Sequence, residues 1–163
     1  MFRLDDYIFL LNQAIWSGIA ALGFGILFKI PKRLILTVFF LGFMGGLVKF
    51  FVLFYQKNIS IATLLASLTI GFIAILLAKR VAKPTVVFII PAIIPMIPGY
   101  FAYQVVLNIH KFIFLRDKSL PSEVLNLIFY NGFMTLIILF AISIGVSLPM
   151  LIVGKDMSRR LKD

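Results

Sequence analysis

The chain has 163 residues, of which 62% are hydrophobic and 18 are phenylalanine, and its mean hydropathy is +1.10. Soluble domains are roughly 45–50% apolar, so the composition excludes a soluble fold and indicates an integral membrane protein. The formal net charge of +10 comes mostly from short basic tracts between apolar runs, which are typical topology signals rather than a nucleic-acid surface. The absence of cysteine excludes disulfides and thiolate sites.

The first predicted span, residues 7–28, carries a stripe of small or weakly polar residues at every fourth position: Gln13, Ser17, Ala21 and Gly25. Such stripes let membrane helices approach closely, so we expect Ser17 and Gly25 to pack against a neighbouring helix. A basic turn, residues 29–33, follows this span and connects it to the next one.

The second predicted span, residues 34–56, contains one charge, Lys49. Gly42 and Gly46 form a GxxxG pair, which is typical of close helix packing, and Lys49 shares their face. A charge within the membrane is costly and is therefore a candidate counter-charge for an anionic or zwitterionic substrate. An alternative is that Lys49, about two turns from the end of the span, extends to the membrane surface.

The third predicted span, residues 59–78, repeats the small-residue stripe with Thr63, Ser67 and Gly71. We expect Ser67 and Gly71 to contribute to helix packing in the same way. A second basic turn, residues 79–84, ends this span.

The fourth uncharged run, residues 85–109, is long enough to cross a bilayer but contains Pro91, Pro95, Pro98 and Gly99. Because proline lacks an amide hydrogen and clashes with the preceding turn, this pattern predicts two half-helices that meet near the membrane midplane. Irregular backbone at that depth must be surrounded by protein or by a water-filled cavity. The alternative is a kinked helix with a purely structural role.

The fifth predicted span, residues 124–153, precedes a basic tail at residues 155–163. Five spans place the two termini on opposite sides of the membrane. With both basic turns and the tail in the cytoplasm, ten Lys/Arg residues lie inside and five outside, with Lys49 in the membrane. This count predicts that the N-terminus is outside and the C-terminus is cytoplasmic.

The predicted spans lack Asp, Glu and Cys, and the single histidine, His110, lies at a membrane boundary. A catalytic or metal site needs a cluster of such groups, so we expect neither an enzyme nor a bound metal or cofactor. If transport is coupled to protons, the carboxylate that such relays commonly use must come from another chain. The sequence therefore points to a partner subunit.

The chain resembles the threonine/serine exporter (ThrE-type) family in PAIIPMIPGYFAYQ at residues 91–104, with FKIPKR, GGLVKF and ATLLAS in order before it and SIGVSLP after it. More closely, it looks like the small subunit of the split bacterial form, which is associated with succinate export. The resemblance implies a C-terminal half that works with a longer membrane protein in the bacterial inner membrane, with efflux driven by the proton gradient. Lys49 looks like a match to a basic position of the family.

These observations predict an all-α polytopic protein, a single membrane domain over residues 1–163 with about five spans. We expect a subunit of a heteromeric secondary exporter for small carboxylates, either threonine and serine or dicarboxylates such as succinate. The residues expected to line the substrate pathway are Lys49, Pro91, Pro95, Pro98, Gly99, Tyr100, Tyr103, Gln104 and Asn131. Two alternatives remain open: a scaffold that stabilises the larger partner without transporting, and a homo-oligomeric channel.

Overall fold

The computed structural model describes the backbone of residues 4–81, 83–114 and 121–160, and the side chains of residues 6–81, 83–114 and 122–153. Its elements are α1 (Leu4–Leu27), α2 (Lys32–Gln56), α3 (Ile59–Val81), α4 (Val86–Ile93), a 3-10 turn (Ile94–Met96), α5 (Gly99–Phe114) and α6 (Pro121–Arg160). Among the cations counted for topology, Arg3, Arg116, Lys118 and Lys162 lie outside the described residues.

Four of these helices, α1, α2, α3 and α6, are long and apolar enough to cross a membrane. A fifth span results when α4, the 3-10 turn and α5 are counted together as one broken helix. All the regular elements in the described ranges are helical, which confirms the prediction of a polytopic α-helical membrane protein with an interrupted fourth span.

The described residues form two compact units. The first contains those up to Met96 together with those from Ala141 onwards, and the second is Ile97–Phe140. The first unit therefore holds α1 to the 3-10 turn and the end of α6, while the second holds α5 and the beginning of α6.

In the first unit, α1 and α2 form an antiparallel hairpin whose turn is closed by backbone hydrogen bonds. Lys29 adopts a left-handed conformation with φ of 55°. Its amide donates to the Ile26 carbonyl at 2.9 Å, and the Ile30 amide donates to the Gly25 carbonyl at 3.0 Å. These two bonds are the Schellman pattern, which satisfies carbonyls at a helix end and reverses the chain.

The hairpin is closely packed along the small residues of both helices. A Cβ atom at Gly46 would lie 2.6 Å from Ser17 Cβ and 3.3 Å from Ala14 Cα. A Cβ atom at Gly25 would lie 3.4 Å from a methyl group of Val38. The two backbones can approach this closely because the facing positions carry little or no side chain.

The connection from α2 to α3 is short and well capped. Lys57 has a left-handed φ of 52°, and its amide donates to the Leu53 carbonyl. The Asn58 side-chain oxygen then accepts the amides of Ser60 and Ile61 at 3.0 and 3.3 Å. Asn58 therefore satisfies two amides at the start of α3 that have no partner within the helix.

Replacing Asn58 with alanine is expected to lower the free energy of unfolding by about 1 kcal/mol, because both amides lose their acceptor. Thermal unfolding of the purified protein in detergent measures the change. Asn58→Ser should restore most of the stability, and Gln56→Ala, at the exposed end of α2, is the matched control. An unaltered midpoint for Asn58→Ala would contradict this cap.

The buried face of α3 packs against the end of α6. The Ser67 hydroxyl lies 2.9 Å from the Leu64 carbonyl and 3.3 Å from the carbonyl of Ala141, 74 positions later. A Cβ atom at Gly71 would lie 3.4 Å from the carbonyl of Gly145, which is again 74 positions later. A constant separation of this kind means that the two segments run parallel.

The parallel packing of α3 and α6 bears on the number of spans. Two parallel helices that cross a membrane enter it from the same side. This arrangement is compatible with α4, the 3-10 turn and α5 counting together as one broken span. The described residues then contain up to five candidate spans.

Candidate functional site at the end of the broken helix

The first half of the broken span loses helical hydrogen bonds at its prolines, but the helix continues past the first proline, Pro91. Pro91 lies inside α4, which continues to Ile93. Since Pro91 and Pro95 lack an amide hydrogen, the carbonyls of Val87 and Pro91 lose their α-helical donors. After Ile93 the chain tightens into the 3-10 turn at residues 94–96, and the helix then ends.

This half-helix ends close to the middle of α2. Eight α-helical and three 3-10 residues give a length of about 18 Å, little more than half of a hydrocarbon core of roughly 30 Å. Met96 Cε lies 2.6 Å from the position that a Cβ atom of Gly45 would occupy. Gly45 is near the centre of α2, so α4 and the 3-10 turn end at about the middle depth of that helix.

Lys49 lies on α2, one helical turn beyond the level at which α4 and the 3-10 turn end. It follows Gly45 by four residues and Gly46 by three, so it is about 6 Å further along α2 and on nearly the same face. Gly45 contacts Ile70 of α3 and Gly46 contacts Ser17 of α1, so this face of α2 is turned towards the bundle. The Lys49 side chain is partly buried there.

The charge of Lys49 lies in a stretch of sequence without acidic residues. The sequence has no Asp or Glu between Asp6 and Asp117. Among the side chains that the structure describes, carboxylates occur only at Asp6 and Glu123, near the beginnings of α1 and α6. Lys49 is therefore a candidate for binding an anionic group that comes from outside this part of the chain.

The second half of the broken span begins in the other unit. The Gly99 amide donates to the Ile97 carbonyl at 2.8 Å, and the Pro98 carbonyl accepts the Ala102 amide at 3.1 Å. The position of a Cβ atom at Gly99 has no atom within 4 Å. Beside it, Tyr100 and Tyr103 are 68% and 61% exposed, so the start of α5 is open to its surroundings.

Two asparagine side chains of the second unit donate to backbone carbonyls of their own helices. The Gln104 carbonyl accepts the side-chain amide of Asn108 at 2.7 Å, and the Leu127 carbonyl accepts that of Asn131 at 2.7 Å. Asn108 and Asn131 are both buried. Sequence reasoning missed Asn108, although its spacing of four from Gln104 within an apolar span was a usable signal.

The predicted pathway residues divide between the two units. Lys49, Pro91 and Pro95 belong to the first unit, and the other six belong to the second: Pro98, Gly99, Tyr100, Tyr103, Gln104 and Asn131. The described part of the chain contains no group of three His, Cys, Asp or Glu residues that could hold a metal ion.

The fold defines the class of this protein as a polytopic α-helical membrane protein. Its sequence matches the family described as Threonine/Serine exporter, ThrE, over residues 13–152. The chain belongs to this family. The match confirms the family resemblance that the proline-rich segment indicated.

A relative from Haemophilus influenzae, described as an uncharacterized protein, is 32% identical over 143 residues. The match covers 86% of this chain but only 46% of the relative, so the chain spans about half the length of that protein. No solved structure matches the chain.

Proposed function

We propose that the chain is one membrane subunit of a secondary exporter for small carboxylates, either threonine and serine or a dicarboxylate such as succinate. The observation that carries this proposal is the position of Lys49, one turn beyond the end of the broken helix at the middle depth of α2. A substrate carboxylate paired with Lys49 offsets the cost of placing that ammonium group inside the membrane. Broken helices near the midplane are where many secondary transporters bind substrate.

Under this proposal the second half of the broken span supplies further contacts. The first amides of α5, from Gly99 onwards, carry the positive end of a helix dipole and suit a second anionic group. Tyr100 and Tyr103 add hydroxyl groups, and Gln104 and Asn131 add polar contacts. Alternating exposure of this site to the two sides of the membrane then moves the substrate.

The proposal includes a larger membrane subunit as partner. A proton-driven exporter needs a group that takes up and releases protons, commonly an intramembrane carboxylate. This chain has no Asp or Glu from residue 7 to residue 116. The Haemophilus influenzae relative is about twice as long as the stretch that it shares with this chain, which supports a second half that can supply such a group.

The charge count supports an orientation for this subunit. Ten Lys/Arg residues in the two basic turns and the tail, against five elsewhere outside the membrane, favour an external N-terminus and a cytoplasmic C-terminus in the inner membrane. A five-span first half that begins in the cytoplasm would end where this chain begins. The two halves would then form an inverted-topology pair.

Export measured from loaded cells tests the proposal. Threonine, serine and succinate efflux is compared in cells that express this chain, its larger partner, or both. We expect efflux only from the pair, because neither half holds both the lysine and the proton-carrying group. Efflux from this chain alone would contradict the two-subunit proposal and favour the homo-oligomeric channel. Efflux from the partner alone at the full rate would also contradict the two-subunit proposal, because this chain would then be dispensable for transport.

A further inference from the structure

An open groove with a volume of about 210 Å³ lies between the α1–α2 turn and the beginning of α4. All the side chains that line it are apolar: Phe28, Ile30, Val86, Val87, Ile90 and Pro91. Ile30 and Pro91 are buried and form the floor, whereas Phe28, Val86 and Ile90 are about half exposed and form the rim. An apolar groove open along its side suits a hydrocarbon chain.

Six exposed cations lie on the two chain turns at this end of the first unit: Lys29, Lys32, Arg33, Lys79, Arg80 and Lys83. Lys29 lies between two groove residues in the sequence, and Lys83 precedes Val86 by three residues. No acidic residue occurs anywhere in this part of the sequence to offset these charges. The groove is therefore continuous with a strongly basic surface.

The start of α2 increases this positive potential. Its first turn carries Lys32 and Arg33 and no acidic residue, and Pro31 provides no side-chain cap. Cations at a helix N-terminus are unfavourable because the amide groups there already carry partial positive charge. An anion bound at this turn would relieve that repulsion.

We propose that this end of the bundle binds an anionic glycerophospholipid, with one acyl chain in the groove and the phosphate among the surrounding cations. Charge complementarity favours an anionic lipid over a zwitterionic one, and the apolar groove favours a lipid over a soluble anion. Basic sites between transmembrane helices bind anionic lipid headgroups in this way. This site is separate from Lys49, so the proposal does not depend on the exporter function.

The structure provides matched variants for a test. Lys29 and Lys57 have nearly the same left-handed φ, 55° and 52°, but belong to opposite ends of α2. Both Lys29→Gln and Lys57→Gln therefore remove one positive charge from a residue with the same backbone conformation. Lys29 lies at the proposed lipid site, and Lys57 lies away from it. Val86→Trp fills the groove, and Leu76→Trp changes a side chain of α3 that is 62% exposed and does not line the groove.

The full chain, purified in detergent, is examined by native mass spectrometry with equal amounts of dioleoyl phosphatidylglycerol and dioleoyl phosphatidylcholine. We expect the wild type to retain phosphatidylglycerol about fivefold or more over phosphatidylcholine. Lys29→Gln should weaken phosphatidylglycerol binding about fivefold, the usual contribution of one cation near a membrane surface. Val86→Trp should also weaken it, while Lys57→Gln and Leu76→Trp should leave it unchanged.

Equal retention of the two lipids by the wild type would overturn the proposal without any variant. An equal effect of Lys57→Gln and Lys29→Gln would also overturn it, since attraction would then depend on net charge alone. If Val86→Trp bound phosphatidylglycerol as well as the wild type, the groove would be excluded as the site of the acyl chain. Competition by millimolar glycerol phosphate would identify an anion site instead of a lipid site. Circular dichroism confirms that each variant keeps its helices.

Discussion

Replacing Lys49 with glutamine is expected to reduce carboxylate export about tenfold or more without changing the amount of assembled protein. A hydrogen bond to a charged group contributes about 1.5–3 kcal/mol, which corresponds to roughly 10–150-fold in binding. Glutamine keeps the approximate length and the hydrogen-bonding capacity of the side chain but removes the charge. Initial rates of substrate efflux, normalised to the protein present in the membrane, measure the effect.

Two further variants make the Lys49 result specific. Lys49→Arg keeps the charge in the same turn of α2 and should retain part of the activity. Lys57→Gln removes a cation from the end of the same helix and should leave export unchanged. If Lys49→Gln lost assembly and export in parallel, a scaffold role for this chain would replace the exporter site.

Replacing Gly42 with valine is expected to lower the free energy of unfolding by roughly 1–3 kcal/mol, the usual cost of overpacking. A Cβ atom there would overlap Ala21 Cβ and lie 3.0 Å from the Ser17 carbonyl and 3.4 Å from Gly18 Cα. Two of these neighbours are backbone atoms, which cannot move away as the end of a side chain can. The thermal midpoint in detergent should therefore fall.

Gly23→Val is the matched control for Gly42→Val. Gly23 is exposed on α1, and the position of its Cβ atom has no atom within 4 Å. This variant makes the same chemical change in a helix of the same hairpin and should leave the midpoint nearly unaltered. Equal midpoints for the two variants would contradict the close α1–α2 packing.

The broken span illustrates what sequence can and cannot determine. The three prolines predict an interrupted helix, because each one removes an amide donor. The sequence does not say which proline ends the helix, since neighbouring amides can compensate for a single missing bond. In the structure Pro91 is accommodated within α4, and the break follows the 3-10 turn, at Ile97 and Pro98.

For helix packing, the sequence likewise predicts only part of the result. Residue spacing identifies the face that packs, but not the helix that packs against it. The spacing of Gly42 and Gly46 identifies one face of α2, but only the structure places Ser17 and Ala21 of α1 against it. The stripe that contains Ser67 gives no indication that its neighbour is the end of α6. Contacts between distant parts of a chain depend on how whole helices fit together, and a periodic pattern on one helix contains no information about the other.

The pairing of α3 with α6 also sets an order of events during synthesis. Ribosomes add about 5–20 residues per second, so the 74 residues that separate Ser67 from Ala141 take about 4–15 s to make. During that time α1, α2 and α3 can already associate as adjacent hairpins, while the Ser67 face of α3 still lacks its final neighbour. A nascent chain that stalls in this interval would present an unpaired, weakly polar helix face inside the membrane.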